Sequence, residues 1–368
     1  MSTTMAETIL ITGADGYIGS LISAWLLEHT DAQLMLWVRA DNDTEFEDKR
    51  ARLHQQHAAH GERIQVCCGN LQDEAPLDSI NPELIQRIIH VAAVTEFNVT
   101  RERADAVNRD GTRKVLAFAR RCPQLQRFCY VSTAYVAGLA QGGIAEQPMP
   151  ADGPFANHYE RSKCEAENIL LHEFADLPWH IYRPSTVMAH DAAGTVVQYN
   201  VFHNTMRLLF YGLISTMPGL ADTPIYMVTG KFVGDAIAEL SVKPVAQRQI
   251  FHVCHTEVES LALGQMLAVC FREFGTDAGF RKRRILPPLL TEFEMFEMLA
   301  NELKGLSAQV VSQAVESIRP FSQQLFIHKA FHNDNLRAAL DHYQAPDPTT
   351  LLAATVQTLI QTKWGREP

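Results

Sequence analysis

The sequence lacks several features that would assign it to common classes of protein. No apolar run reaches the roughly 20 residues that a membrane-spanning helix needs, and the first eight residues have neither a basic start nor an apolar segment of their own. We therefore expect no signal peptide and a cytoplasmic protein. The formal net charge of −10 argues against a general nucleic-acid binder, because affinity for a phosphate backbone depends on clustered Lys and Arg.

The spacings typical of metal sites and disulfide frameworks are also missing. The seven cysteines are odd in number and contain no CxxC pair, which favours reduced, mostly buried thiols. The fifteen histidines show no HExxH or comparable ligand spacing, so we expect no metal site. With 46% apolar and 20% charged residues, the 368-residue chain can form one large α/β domain with a smaller addition, or two modest domains.

Short apolar segments alternate with longer amphipathic segments in the first half of the chain. Such alternation predicts βαβ units and a parallel sheet that is covered on both faces. The predicted strands are Thr8–Thr12, Gln33–Val38, Ile64–Cys67, Ile88–Val91, Phe128–Ser132 and His180–Arg183. Helices are predicted over Ala104–Arg121 and His158–Phe174. The predicted fold is an α/β, doubly wound parallel sheet of the Rossmann type with a smaller, mainly helical C-terminal region.

The regular alternation ends near residue 190, and this change predicts the domain organisation. We assign residues 1–190 to a nucleotide-binding domain, to which residues 225–255 return. Residues 191–224 and 256–368 would form the substrate-binding region.

One helix of the substrate-binding region has an apolar face that allows two interpretations. Phe293, Phe296, Ala300, Leu303 and Leu306 recur at steps of three and four residues. Phe293, Phe296, Leu299 and Leu303 could line an acyl tunnel, but such a face more often packs in the core.

A glycine-rich turn follows the first predicted strand. Gly13, Gly16 and Gly19 are three residues apart, and Tyr17 to His29 can form a helix. Glycines in a strand–turn–helix unit allow backbone N–H groups to approach a pyrophosphate at the helix N-terminus. The turn residues expected to contact such a nucleotide are Gly13, Asp15, Gly16, Tyr17, Ile18 and Gly19. A glycine corner without a ligand is the alternative.

The end of the second predicted strand indicates which nucleotide would bind. An acidic residue there would accept hydrogen bonds from the ribose hydroxyls of NAD, whereas an Arg suits the 2′-phosphate of NADP. This strand ends at Arg39, and Arg50 follows in a charged segment. Asp41 also lies nearby, which leaves room for some NAD binding, but we predict NADPH as the cofactor.

Thr133 ends a predicted strand, and Tyr159 and Lys163 lie four residues apart on one predicted helix. A nearby ammonium would lower the pKa of the Tyr159 phenol. Tyr159 could then protonate a substrate oxygen while a hydride reaches the carbonyl carbon, with Thr133 bonded to the same oxygen. Lys163 could also hold the cofactor ribose. An isolated YxxxK is often only a surface pair, but here it follows the glycine turn and Thr133 in the appropriate order.

These motifs resemble those of the extended short-chain dehydrogenase/reductase family over roughly residues 7–240. TGADGYIG is similar to its TGxxGxxG turn, VSTAYVAG to its strand-end Ser/Thr motif, and Tyr159 and Lys163 to its YxxxK. NRDGT resembles its NVxGT motif, which implies that Asn108 supports the active-site helix and a water. GNL at Gly69–Leu71 and AAV at Ala92–Val94 resemble cofactor-lining segments. The resemblance therefore adds Asn70, Leu71, Ala92 and Ala93 to the expected cofactor contacts.

Four further segments resemble the thioester reductase and fatty acyl reductase branch of that family, the male-sterility type. They are IIHVAAVTEFN, WVRADN with RARL, IYRPSTVMAHDAAG, and FHNDNLRAAL. The third contains Pro184, which we also expect at the cofactor. The resemblance implies reduction of an acyl thioester, carried by coenzyme A or a carrier protein, to an aldehyde and then to an alcohol if a second hydride is delivered.

The run Arg281-Lys282-Arg283-Arg284 is the densest basic segment of this acidic chain. It could hold the phosphates of coenzyme A, an acidic carrier protein or an anionic membrane surface, or it could be a solvated helix end.

The sequence leaves other functions open on the same scaffold. They are reduction of a ketone or aldehyde, sugar-nucleotide epimerisation, and NADP sensing without turnover. The Arg at position 39 argues against an epimerase that keeps NAD, and the presence of both Tyr159 and Lys163 argues against a sensor.

Overall fold

The computed structural model describes residues 6–304 and 309–365. Its strands within those residues are β1 (Thr8–Thr12), β2 (Gln33–Val38), β3 (Ile64–Cys68), β4 (Arg87–His90), β5 (Arg127–Val131), β6 (Gly142–Ile144), β7 (Trp179–Tyr182), β8 (Thr186–Ala189), β9 (Thr216–Pro218), β10 (Pro224–Ile225), β11 (Met227–Thr229), β12 (Gln249–Phe251), β13 (Leu261–Ala262), β14 (Leu289–Thr291) and β15 (Lys329–Phe331). The α-helices are α1 (Tyr17–His29), α2 (Asp43–Gln56), α3 (Arg101–Ala104), α4 (Gly111–Arg120), α5 (His158–Glu173), α6 (Val201–Phe210), α7 (Gly230–Val242), α8 (Leu263–Phe274), α9 (Ala278–Arg283), α10 (Phe293–Lys304), α11 (Gln309–Ile318), α12 (Asp334–Ala339) and α13 (Pro348–Gln361). None of these helices is both long and apolar enough to cross a bilayer.

Seven parallel strands form the main sheet, in the order β12-β7-β5-β4-β1-β2-β3. This arrangement confirms the predicted Rossmann-like sheet, and each of the six predicted strands matches its observed counterpart to within one residue at each end. The strand order reverses between β1 and β4, and ligands of such sheets bind outside the carboxyl ends of the strands at that point.

The side chains of β1 alternate between two cores because successive residues of a strand point to opposite faces. Ile9 and Ile11 pack with residues of α1 and α7. Leu10 faces the other side, where α4 and α5 cover the sheet. Helices α1 and α7 pack closely because position 234 is glycine, and a Cβ there would lie only 2.6 Å from the Cβ of Leu21.

The predicted continuous helix Ala104–Arg121 is interrupted. The structure has α3, a π-helical segment at Asp105–Asp110, and then α4. Gly111 follows the π segment, and a Cβ there would lie 2.9 Å from the Cβ of Leu71. Such π turns occur mostly at functional sites, and this one directs Asn108 into the protein interior.

The C-terminal part of the chain contributes to two cores. A separate core joins α6, α8 and α13. In addition, β15 pairs with β6, and Leu336 and Leu340 pack in the same core as Ile9 and Ile11. Residues after 256 therefore contribute to the core of the first part of the chain as well as to the separate core, whereas the sequence assigned all of them to a substrate-binding region.

The apolar face of α10 is a core element. Phe296 and Ala300 are both buried in the C-terminal core. Leu306 and the side chain of Leu303 lie outside the described residues. All seven cysteines are free thiols, five of them buried, which confirms the expectation of mostly buried thiols.

Candidate active site

The carboxyl ends of the central strands open into one cleft of about 2740 Å³, including its part open to solvent. Most of the residues predicted for the site line it. They are Gly13, Asp15, Gly16, Tyr17, Ile18, Gly19, Arg39, Asn70, Leu71, Ala92, Ala93, Thr133, Tyr159, Lys163 and Pro184. The predicted cofactor residue Arg50 is not among the lining residues. Its guanidinium instead forms an ion pair with Glu47 on the exposed face of α2.

The glycine turn brings the N-terminus of α1 to the floor of the cleft. Gly13 has a φ of +68°, and a Cβ there would lie 2.9 Å from the backbone of Ala92, so only glycine fits. Gly16 caps α1 without a side-chain hydrogen bond, and the first turn contains no acidic residue. A helix end of this kind leaves backbone N–H groups for an anion, as a dinucleotide pyrophosphate requires.

Lys49, which the sequence did not single out, organises the charges beside this turn. Its ammonium lies 3.1 Å from Asp15 and 3.0 Å from Glu45, and it donates a 2.6 Å hydrogen bond to the carbonyl of Arg39. Lys49 thereby offsets the Asp15 carboxylate, which would otherwise repel a bound phosphate. Arg39 itself is exposed and lies 3.4 Å from Asp41.

Helix α5 carries Tyr159 and Lys163 one turn apart, and both are buried. The Lys163 ammonium donates a 2.8 Å hydrogen bond to the carbonyl of Val131 and lies 4.2 Å from the ring centroid of Tyr130. Burial lowers the pKa of Lys163 to about 7. The lysine therefore changes its charge near neutral pH.

The expectation that Lys163 lowers the pKa of Tyr159 is wrong for the protein alone. Burial raises the pKa of the Tyr159 phenol to about 12, and the hydrogen bond with Thr133 offsets only part of this effect. The Lys163 ammonium is directed at Val131 and Tyr130 instead. Tyr159 is consequently a protonated phenol at neutral pH, which suits a proton donor.

Thr133 and Asn108 occupy different positions relative to the cleft. Thr133 lines it, and its hydroxyl accepts a hydrogen bond from the backbone N–H of Tyr135 at 3.2 Å. Asn108 is buried and is not among the residues that line the cleft. The Asn108 amide bonds to Val94 through both its N–H and C=O groups and donates to the Ser162 hydroxyl at 3.0 Å. Asn108 therefore joins the loop after β4 to α5 and is a positioning residue.

Two buried hydroxyls in the cleft, those of Ser132 and Ser185, have no hydrogen-bond partner among the described residues. Buried polar groups are nearly always paired, so these positions are suited to a polar ligand atom. Together with the uncapped end of α1, Ser132 fits a dinucleotide, whereas Ser185 lines both this cleft and an adjoining cavity. In the sequence, Ser132 is marked only by its place beside Thr133 in the strand-end motif, and no pattern marks Ser185.

A second, mainly apolar cavity of about 880 Å³, including its part open to solvent, adjoins the cleft. Its apolar lining includes Phe97, Phe202, Met206, Met217, Met227, Met266, Phe321 and Phe331. The two cavities share Phe97, Tyr135, Ser185, Thr186 and Val201.

Phe97 forms part of the junction between the two cavities. Its ring centroid lies 5.7 Å from that of Tyr159 and 5.8 Å from that of Tyr135. The predicted tunnel residues Phe293, Phe296 and Leu299 are not among the residues that line this cavity, although Phe296 is buried in the same core as the cavity-lining Met206 and Met217.

The basic run Arg281-Lys282-Arg283-Arg284 lies at the end of α9 and lines neither cavity. Arg281 donates hydrogen bonds to the carbonyls of Gly275 and Thr276. Arg283 donates to the carbonyl of Phe210 and stacks 5.0 Å from its ring centroid. Two of the four basic side chains therefore have structural contacts.

No group of three or more potential metal ligands was found in the part of the chain that the structure describes.

Comparison with known proteins gives a consistent result. Residues 11–237 match the family model described as male sterility protein. Fatty acyl-CoA reductase 8 of Arabidopsis thaliana is 31% identical over 171 residues, covering 39% of this chain and 34% of the relative. The carboxylic acid reductase of Mycobacterium marinum is 24% identical over 312 residues, covering 72% of this chain and 26% of the relative.

The solved terminal R domain of the myxalamid PKS-NRPS pathway has the same fold. It superposes with a TM-score of 0.78 at 20% identity, covering 100% of this chain and 93% of that domain. The chain spans between 21% and 58% of the length of the first three curated relatives. Because the family match covers more than half of its residues, the chain belongs to the male sterility protein family.

Proposed function

We propose that this chain is an NADPH-dependent reductase of acyl thioesters, with acyl-CoA or an acyl carrier protein as the substrate. The observation that carries the proposal is the junction of two cavities beside Tyr159. A large cleft that fits a dinucleotide meets a smaller, mainly apolar cavity that fits an acyl chain. The names of the relatives, fatty acyl-CoA reductase and carboxylic acid reductase, favour the same substrate class.

Different residues of the chain would bind the cofactor and exclude water from the reacting carbonyl. A bound reduced nicotinamide dinucleotide supplies a hydride to the thioester carbonyl carbon. The N-terminus of α1 would bind the pyrophosphate, Lys163 the ribose and Arg39 the 2′-phosphate. Phe97, at the mouth of the apolar cavity, would exclude water from the reacting carbonyl.

Tyr159 and Thr133 would act on the substrate oxygen. The Tyr159 phenol, which is protonated at neutral pH, donates its proton to this oxygen, while Thr133 orients it through a hydrogen bond. The carbon–sulfur bond then breaks, releasing a thiol and leaving an aldehyde. A second reduction to the alcohol would use the same two side chains, because it acts on the same kind of carbonyl.

The direct test is NADPH oxidation with a panel of acyl-CoAs, acyl carrier proteins, aldehydes and ketones, with products identified by mass spectrometry. Formation of an aldehyde or alcohol from a thioester supports the proposal. Turnover restricted to ketones or free aldehydes would replace it with a simple carbonyl reductase.

The choice of NADPH can be tested at Arg39. We expect Arg39→Ala to weaken NADPH binding by roughly tenfold and to leave NADH binding nearly unchanged, because the variant loses a charged contact to the 2′-phosphate. We expect a loss of binding free energy at the low end of the range for hydrogen bonds to charged groups, because the Arg39 side chain is 54% exposed and water screens its charge.

Arg50→Ala is the matched control for this measurement, since Arg50 is similarly exposed but lies outside the cleft. Both variants are titrated with NADPH and with NADH, and nicotinamide fluorescence reports the affinity for each cofactor. Equal losses for NADPH and NADH in Arg39→Ala would show that Arg39 does not bind the 2′-phosphate.

The basic run can be tested without disturbing its structural contacts. The double variant Lys282→Gln/Arg284→Gln spares Arg281 and Arg283, whose guanidinium groups bond to backbone carbonyls. If the run docks a phosphate-bearing carrier, KM for the acyl carrier substrate should rise several-fold, with kcat and the reduction of a small free aldehyde nearly unaltered.

The control is Arg120→Gln/Arg121→Gln, which removes two exposed charges from the end of α4. Kinetics over an ionic-strength series should show a flatter salt dependence only in the first double variant. The same KM in both double variants would identify the run as an ordinary solvated surface.

A further inference from the structure

Lys329 places a cationic group in the wall of the apolar cavity. It lies on β15, its residue is 5% exposed, and it lines the cavity together with Gln324 and Tyr226. Its ammonium donates a short hydrogen bond to Oε1 of Gln324. This is the one hydrogen bond from the ammonium found within the described residues. Because an ammonium has three N–H donors, Lys329 can donate further hydrogen bonds to a ligand.

Gln324 connects this ammonium to a buried carboxylate. Its Nε2 donates to both carboxylate oxygens of Glu160, at 3.0 Å each. Glu160 is fully buried on α5 and also accepts hydrogen bonds from the backbone N–H of Ala156 and the side chain of Asn157. The carboxylate is therefore well supplied with donors, whereas the ammonium has one acceptor among the described residues, the side-chain oxygen of Gln324.

The opposite charges of Lys329 and Glu160 balance each other across Gln324. Burial lowers the pKa of Lys329 to about 8 and raises the pKa of Glu160 to about 7. A ligand carboxylate bound at Lys329 would therefore bury an additional negative charge beside Glu160, which is costly. A neutral oxygen could accept a hydrogen bond from Lys329 without that cost.

A second observation also indicates a polar ligand in this cavity. The Ser185 hydroxyl is buried, lines both cavities and has no hydrogen-bond partner among the residues described. A plain hydrocarbon chain would leave both the Ser185 hydroxyl and the spare N–H donors of Lys329 without hydrogen-bond partners, which disfavours its binding.

We propose that this cavity selects acyl chains that carry a neutral oxygen, as a hydroxyl or keto group, beyond the thioester, and that Lys329 donates a hydrogen bond to that oxygen. This inference rests on the proposed thioester reduction for its substrate class. It adds a specificity-determining residue, remote in sequence from Tyr159, to the acyl-binding side of the site.

The test measures the selectivity ratio, defined as kcat/KM for an oxygenated acyl-CoA divided by kcat/KM for the unsubstituted acyl-CoA of the same length. The panel moves a hydroxyl or keto group along the chain and includes a terminal carboxylate. For the wild type we expect a ratio above ten at the position that reaches Lys329. Lys329→Met should lower this ratio roughly ten- to a hundredfold, because it removes a charged donor and makes the wall apolar.

Lys231→Met is the control variant, because Lys231 lies exposed on α7 and pairs with Asp235 outside both cavities. Its selectivity ratio should equal that of the wild type. A wild-type ratio near one at every position would overturn the inference, whether or not Lys329→Met folds. A preference for the terminal carboxylate, or an equal loss for both chains in Lys329→Met, would overturn it as well.

A binding measurement distinguishes failure of this inference from failure of the proposed function. Non-reducible acyl amides of pantetheine, with and without the chain oxygen, are titrated into the NADP-loaded protein by calorimetry. Tighter binding of the oxygenated amide that is lost in Lys329→Met supports the inference even if no thioester is reduced. Equal affinity of the two amides, accompanied by normal thioester reduction, would overturn the inference and leave the proposed function intact.

Discussion

Tyr159→Phe is expected to lower kcat for thioester reduction by roughly 10²–10⁴-fold, the usual contribution of a positioned proton donor. The substitution removes only the phenol hydroxyl, which burial keeps protonated at neutral pH. Binding of NADPH should stay nearly unchanged, because the groups proposed to contact the cofactor remain. Single-turnover kinetics and cofactor titration on the same preparation measure the two effects separately.

The matched control is Tyr211→Phe, which removes the hydroxyl of a tyrosine that is 42% exposed and lines neither cavity. This variant should keep wild-type kinetics. Undiminished turnover in Tyr159→Phe would remove Tyr159 from the mechanism. A parallel loss of NADPH binding would instead assign it to the cofactor site.

Glu167→Ala is expected to destabilise the protein by about 3–5 kcal/mol, because it leaves the Arg183 guanidinium buried without its counter-ion. Both side chains of this pair are fully buried and joined by two hydrogen bonds, of 2.6 and 3.0 Å. Arg183 also contacts the carbonyl of Gln147 and the ring of His252. The pair therefore ties α5 to the chain that immediately follows β7. Urea denaturation followed by circular dichroism measures the loss.

Helix α5 supplies its own control. Glu173 forms a similar two-point pair with Arg113, but its side chain is 47% exposed. Glu173→Ala should lower the free energy of unfolding by no more than about 1 kcal/mol. The double variant Glu167→Leu/Arg183→Met should recover much of the stability lost in Glu167→Ala, since it removes both buried charges. Equal costs for Glu167→Ala and Glu173→Ala would contradict the role assigned to burial.

This ion pair also has a consequence for the active site. Tyr159 and Lys163 lie on the same helix as Glu167, about two turns and one turn before it, respectively, and Pro184 of the cleft follows Arg183 directly. The charges that stabilise the fold therefore also hold the proposed proton donor against the cofactor cleft.

The sequence by itself determined the features that depend on local pattern. Alternating short strands and helices predicted the parallel sheet, because strand burial and helix periodicity are local properties. The spacing of Gly13, Gly16 and Gly19 predicted the turn at the carboxyl end of β1. Four-residue spacing placed Tyr159 and Lys163 on one helix face, and family resemblance added residues that do line the cleft, such as Asn70 and Ala92.

Some features were decided only by the tertiary structure. The pKa of Tyr159 rises instead of falling because burial by neighbouring elements outweighs the hydrogen bond with Thr133. Arg50 lies outside the cleft because α2 directs its side chain towards Glu47 and solvent. The apolar face of α10 is core, because Phe296 and Ala300 pack against the other helices of the C-terminal part, and the apolar cavity is lined by methionines and aromatic residues from several distant segments.

The clearest case is the contact of Glu160 with Gln324 and, through it, with Lys329. Gln324 is 164 residues from Glu160 along the chain, and it approaches only because β15 pairs with β6 beside the first domain. No periodicity or motif marks these residues, since each is an unremarkable polar side chain in its own segment. Their chemistry arises from burial and mutual contact, which are properties of the assembled fold, whereas the glycine turn and the YxxxK spacing are properties of the chain alone.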